Sequence, residues 1–188
     1  LNYQAVIDAI KMINHPNMIG LGMRHITVST SGITPGIRAL SKDLPQINLA
    51  VSLHAPEQAL REKIMPIAKK YHLPELFSTI DEYIRSTHRR VTYEYLLIDK
   101  LNDSDELAHM LGKRLKNQLC HVNLIPWNQT NHPTFKPSQR KQIFSFARIL
   151  EEYGIPVTIR VTIGADIDGA CGQLANKALA HDEIRQSQ

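Results

Sequence analysis

Cysteine is scarce in this chain, with only Cys120 and Cys171 among 188 residues. Two thiols do not make a disulfide framework, so the expected setting is a reducing cytoplasm. Long apolar runs are missing as well. None reaches the roughly 18 residues that a membrane-spanning helix needs, so no membrane partner is expected. The first residues read as an amphipathic helix, without the basic segment, apolar stretch and cleavage site of a secretion signal. Neither G-x-x-x-x-G-K-[ST] nor G-x-G-x-x-G occurs, so triphosphate or dinucleotide binding has no motif support. There is no C-x-x-C and no pair of histidines at ligand spacing, so no ordinary metal site is predicted. Internal repeats and low-complexity linkers are absent too.

What is present suits one sizeable core. The net charge of +4 mildly favours an anionic partner such as RNA. Apolar residues alternate between two periods. Val6, Ile7, Ile10 and Ile13 share one face of a first helix. Arg24 to Ser29 is short and β-branched, so a strand. Thr34 as N-cap and Pro35 open a helix to about Leu40. Ile47 to Leu53 is a nearly continuous apolar run, expected of a strand buried on both faces. Helices follow from about Pro56 to Ile64 and from near Pro74, then a strand over Val91 to Ile98. Asp103 with Glu106 reads as a capping box for a helix to about Lys116. Cys120 to Ile125 is a strand, Ser138 caps a helix to Tyr153 stopped by Gly154, and Val157 to Val161 is the last strand. Five strands alternating with helices predict a parallel α/β architecture. Residues 1–180 are expected to form one domain, with 181–188 as a polar, frayed tail. The longest irregular stretches are Pro126 to Pro137 and Ile163 to Asn176, and long loops in compact domains often carry function.

In parallel α/β folds the ligand sits at the carboxyl ends of the strands. The strands deliver Ser29-Thr30-Ser31-Gly32, then Ser52-Leu53-His54, then Asp99, Lys100 and Asn102, then Pro126-Trp127-Asn128. The fifth strand leads to a thiol, Cys171, flanked by small residues in Asp166-Ile167-Asp168-Gly169-Ala170-Cys171-Gly172. On a loop past a strand, that thiol is open to a substrate. Cys120, at a strand start, reads as a packed thiol.

The ordered runs S-T-S-G, S-L-H-A-P, H-V-N-L-I-P-W-N and D-I-D-x-A-C-G-Q-L resemble the radical-SAM RNA methyltransferases RlmN and Cfr, from about Leu1 to Leu179. The resemblance implies a partial (βα) barrel of the radical-SAM type that holds S-adenosylmethionine (SAM) and a 4Fe–4S cluster. It implies that Cys171 carries a methyl group from one SAM. A second SAM, cleaved to a radical, would then activate that methyl for addition to an adenine carbon of 23S rRNA or tRNA. Such a carbon is electrophilic, so direct methylation by SAM fails where a carbon radical succeeds. By motif position, Ser29, Ser52, Leu53, His54 and Asn128 match SAM-contacting residues.

The family's C-x-x-x-C-x-x-C and its G-x-G-E-P strand are not in this chain. The resemblance therefore implies the C-terminal part of a catalytic domain without its leading strands, inactive by itself and liable to self-associate through an open strand edge. Carbon-2 chemistry of the RlmN type is favoured by P-W-N, with Cfr-type carbon-8 chemistry and a cluster-less RNA- or adenosyl-binding module as alternatives. Three basic clusters read as solvated faces by default: Arg85, His88, Arg89 and Arg90; Lys113, Arg114 and Lys116; Lys136, Arg140 and Lys141. The third borders the rim and is the best candidate for RNA phosphate.

Overall fold

The computed structural model describes residues 2–128 and 134–160. Cys171, the second long irregular stretch and the tail therefore lie outside the described residues. The elements in chain order are α1 (Tyr3–Asn14), β1 (Thr27–Thr30), α2 (Thr34–Asp43), β2 (Asn48–Ser52), α3 (Gln58–Ile64), α4 (Leu73–Thr87), β3 (Val91–Leu97), α5 (Asp105–Leu115), β4 (Cys120–Pro126), α6 (Arg140–Glu152) and β5 (Val157–Ile159). The five strands form one sheet in the order β1-β2-β3-β4-β5, every pair parallel. Sequential parallel neighbours joined by helices are the unit from which α/β barrels are wound. β1 and β5 are the edges.

Alternation along the strands sets the two faces of the sheet. Leu49, Val51, Val91, Tyr93, Tyr95, Leu97, Cys120, Val122 and Leu124 are buried, in one core with Ile37 and Leu40 of α2, Leu76 and Ile80 of α4, Leu111 of α5 and Phe146 of α6. The intervening residues form an open face. Asn48, Ser52, Thr92, Glu94, His121 and Asn123 are half-buried there, and Thr27, Ser29 and Thr158 are exposed. The strands are thus apolar toward the helices and polar on the other side, as the wall of a ligand-holding lumen must be. β2 is buried on both faces at its centre, where Ala50 on the open side is 3% exposed, while Asn48 and Ser52 at its ends are polar and half-buried. No helix among the described residues is long and apolar enough to cross a membrane.

Local chemistry shifts several expected boundaries and caps. Met23–His25 close a 3₁₀ turn through His25 N–H to Gly22 O and Ile26 N–H to Met23 O, so β1 starts at Thr27 and not at Arg24. Ile33, not Thr34, is the N-cap residue of α2. The Thr34 hydroxyl donates instead to Glu75 on α4, at 2.6 Å. The α5 cap is Ser104, whose Oγ accepts from Leu107 N–H. Asp103 accepts from Lys100 N–H in the preceding turn, so the Asp103–Glu106 capping box is not formed. Gln139 precedes α6 without a side-chain cap. The buried Ser138 hydroxyl has no hydrogen-bond partner among the described residues.

Candidate functional site

At the carboxyl ends of β2 and β3 the backbone ladder gives way to side chains. Leu53 N–H still donates to Glu94 O at 3.0 Å, and then His54 takes the left-handed conformation, φ 59°. That reversal brings its ring back onto β3, where Nδ1 accepts from Leu96 N–H at 3.0 Å. An imidazole nitrogen that accepts from an amide carries no proton, so the neutral ring bears its hydrogen on Nε2. Burial and, second, the charge of Arg61 hold the His54 pKa down at about 4. His54 is a fixed neutral donor at ordinary pH.

Two buried residues hold this turn: Asn102, one of the polar residues expected past the third strand, and Arg61, which the sequence did not single out. Arg61 of α3 is fully buried. Its Nη2 donates to Ser31 O at 2.8 Å and Ser52 O at 3.2 Å, its Nε to Leu53 O at 3.1 Å, and its Nη1 to Tyr71 O at 3.4 Å. One guanidinium thus gathers the carbonyls that end β1 and β2. Desolvation lowers its pKa. Gly32 (φ 94°) makes room for it, since a Cβ there would stand 2.9 Å from Arg61 Nη2. Asn102, also fully buried, donates from Nδ2 to His54 O at 2.8 Å and accepts from Ile98 N–H at 2.7 Å. Tyr95 Oη donates to the Asn102 carbonyl at 2.8 Å.

Ser52, Leu53 and His54 therefore converge, but not alike. The Leu53 side chain is fully buried in the core, so only its backbone can meet a ligand. Ser52 lies on the open face in register with Glu94 of β3 and, through it, Asn123 of β4 and Thr158 of β5. Asn123 Nδ2 donates to Glu94 Oε2 at 2.7 Å. Ser29 pairs with Ala50, two residues nearer the amino ends, on the edge strand. It shares the open face with Ser52, while on the other side of β1 Val28 lines an apolar cavity of about 230 Å³ with Tyr3, Ile37 and Leu40. Asn128 is half-buried just beyond β4, and the adjacent Trp127 N–H donates to Leu97 O at 3.0 Å. Cys120 is buried, its thiol pushed up to about 11 by desolvation against a smaller effect of Arg90.

The rim joins a neutral imidazole donor and a hydroxyl over a carboxylate–amide pair, with the amide of Asn128 just past the end of β4. Such a set suits a ligand that carries cationic, carboxylate and hydroxyl groups together. The donors fit SAM, with His54, Ser52 and Asn128 as the residues that would hold it. A 4Fe–4S cluster does not fit the chain alone, because such clusters are held by cysteine thiolates and this sequence has two cysteines and no C-x-x-x-C-x-x-C.

A parallel sheet with helices along one face and ligand-binding groups at its carboxyl rim has the architecture of the radical-SAM partial barrels. A radical SAM methyltransferase from Sphaerobacter thermophilus superposes with a TM-score of 0.88 at 44% identity, over 92% of this chain and 50% of that one. A domain of pyruvate-formate lyase-activating enzyme from Bacteroides vulgatus shares the fold alone, with a TM-score of 0.64 at 15% identity over 85% of this chain and 91% of its own.

In sequence, the chain is a homologue of proteins named "Probable dual-specificity RNA methyltransferase RlmN". It is 46% identical to that of Thermoanaerobacter sp. over 95% of this chain and 52% of the relative. It is 49% identical to that of Geobacillus kaustophilus over 94% of this chain and 48% of the relative. The chain thus spans about half the length of these relatives. No family model matches it.

Proposed function

We propose that this chain is the SAM-binding, C-terminal portion of a radical-SAM RNA methyltransferase of the RlmN type. The observation that carries the reading is 46% identity to an RlmN relative across 95% of the chain. Bound SAM supplies the methyl group and, when cleaved beside a cluster, the radical that activates it. This chain's residues bind and orient it. His54 Nε2–H and the Ser52 hydroxyl donate at the rim, Asn128 closes the far side, and Arg61 with Asn102 keeps the rim rigid. Cys171 carries the methyl group to carbon-2 of an adenine in 23S rRNA and tRNA. A cytoplasmic setting goes with such substrates.

The chain by itself transfers no methyl group, because the cluster ligands are not in it. Its β1 edge, which pairs with no further strand among the described residues, favours self-association. A sedimentation profile that stays monomeric at high concentration would reject that last point. The function is tested on the chain extended to the relatives' full length, with the cluster reconstituted anaerobically. SAM and an unmodified 23S rRNA fragment are added, and the digested RNA is read by mass spectrometry beside Cys171→Ala. The reading expects 2-methyladenosine from the parent and none from the variant. 8-Methyladenosine moves the protein to the Cfr type. SAM cleavage without any methylated adenine refutes the RNA substrate.

A further inference from the structure

The opposite ends of the strands hold a cluster that the SAM rim does not use. His88, Arg89 and Arg90 follow one another in the turn between α4 and β3, where His88 ends the helix in the left-handed conformation, φ 54°. With Thr27 of β1, Asn48 of β2 and Thr92 of β3 they line a cavity of about 350 Å³. No carboxylate among the described residues lines it. Arg89 donates to the side-chain oxygen of Asn48, an amide in place of an acid. Arg89 Nε is buried without a hydrogen-bond partner among the described residues, and so is Nδ1 of His121 on β4. Arg90 lies near enough to His121 to lower its pKa, second to burial. Neither arginine joins the four salt bridges formed among the described residues.

Register separates this cluster from the rim. Thr27 pairs with Asn48, and Arg90 immediately precedes Val91, the partner of Leu49. The Ser52–Glu94 row lies four residues further along, roughly 13 Å at strand spacing. The cavity is rich in donors: two guanidinium groups, an imidazole and two threonine hydroxyls. Cations gathered without a counter-charge repel one another. Forked guanidinium donors match the oxygens of a phosphate better than those of any neutral ligand.

We propose that the amino-terminal mouth of the lumen is a second binding site, for a phosphate group, held by Arg89 and Arg90 with His88 and Thr92 beside them. This site is independent of the SAM reading. A phosphodiester of RNA and a free phosphate compound offer it the same chemistry.

The test is a titration of the chain at low ionic strength, followed by amide and arginine Nε resonances. Inorganic phosphate is one ligand and a short single-stranded RNA the other, with Arg90→Gln and Lys113→Gln as variants. Phosphate is expected to shift Arg89 Nε, Thr92 and His121 saturably. Arg90→Gln, an exposed change, is expected to weaken binding about tenfold, the effect of one charge-assisted bond. Lys113→Gln on α5 should leave it unchanged. If RNA displaces phosphate from the same resonances, and its salt slope falls by about 0.7 in Arg90→Gln, the phosphate belongs to the RNA backbone. If phosphate alone binds, the ligand is a free phosphate compound, and the site stands. Absence of a saturable shift overturns the proposal, as does equal affinity in Arg90→Gln. So does loss of the phosphate response in the full-length protein, which would make a protein carboxylate the occupant.

Discussion

Replacing Arg61 by methionine keeps an unbranched apolar stem and removes every donor. The carbonyls of Ser31, Ser52 and Leu53, now reached at 2.8–3.2 Å, lose their partner in a site closed to water. An orphaned buried acceptor costs about 1–3 kcal/mol. The guanidinium's own desolvation, which lowers its pKa, offsets part of this, so the lower figure applies. Three carbonyls then give a loss of about 3 kcal/mol, a large share of a typical 5–15 kcal/mol. For a chain of this size the melting temperature should fall by about 6–12 °C. Arg61→Lys, which keeps the charge but not the fork, should lose less. Urea unfolding measures both. A loss below about 1 kcal/mol for Arg61→Met would refute the reasoning, since the carbonyls would then be finding other partners.

His54 makes stability depend on pH. Its folded pKa of about 4 lies below the ordinary 6.5, so the unfolded chain takes up the proton first. Stability should fall as pH drops from about 6.5 to about 4, by up to about 3 kcal/mol, and His54→Asn, which tolerates the left-handed turn, should flatten that slope; an unchanged slope by urea unfolding contradicts this. Gly32→Ala forces a left-handed Cβ against Arg61 and Leu76 and should cost about 1–3 kcal/mol, whereas a neutral effect on the melting temperature would show that α3 can yield. Asn102→Leu leaves Ile98 N–H without its acceptor and frees the His54 loop, so amide exchange at Ile98 and Leu96 should quicken by an order of magnitude or more; unchanged protection counts against the clamp. In a Cys171→Ala background, the buried Cys120 thiol with its raised pKa should react with a disulfide reagent at pH 8 only as fast as the chain unfolds, and prompt labelling would contradict its burial.

The alternation of strands and helices was legible because it rests on period and turn chemistry, which are local. Caps were less so. Asp103 and Ser104 are both good cap residues, and only the path of the turn after β3 decides that Ser104 caps while Asp103 ties down Lys100. Ser52, Leu53 and His54 were readable as a group because they are consecutive. The lower position of Ser29 was hidden, because it follows from the pairing of Ser29 with Ala50, a register that no single strand encodes. Arg61 was missed for a physical reason. An arginine in a short helix ordinarily faces water, and its burial here depends on carbonyls from two distant strand ends. A hint was available in the pairing of a charged residue with Leu60 on the apolar stripe of α3. Glu94 shows the same limit, as its partner Asn123 is 29 residues away.

SAM is proposed to bind at the carboxyl rim of the sheet. Calorimetric titration of SAM into the full-length, cluster-loaded protein measures this binding, with Ser52→Ala, His54→Asn and the exposed Lys113→Gln beside the parent. Each rim variant should weaken binding about tenfold, the worth of one well-placed hydrogen bond in a desolvated site, while Lys113→Gln binds as the parent does. Parent-like affinity in both rim variants would contradict this and put the SAM site elsewhere.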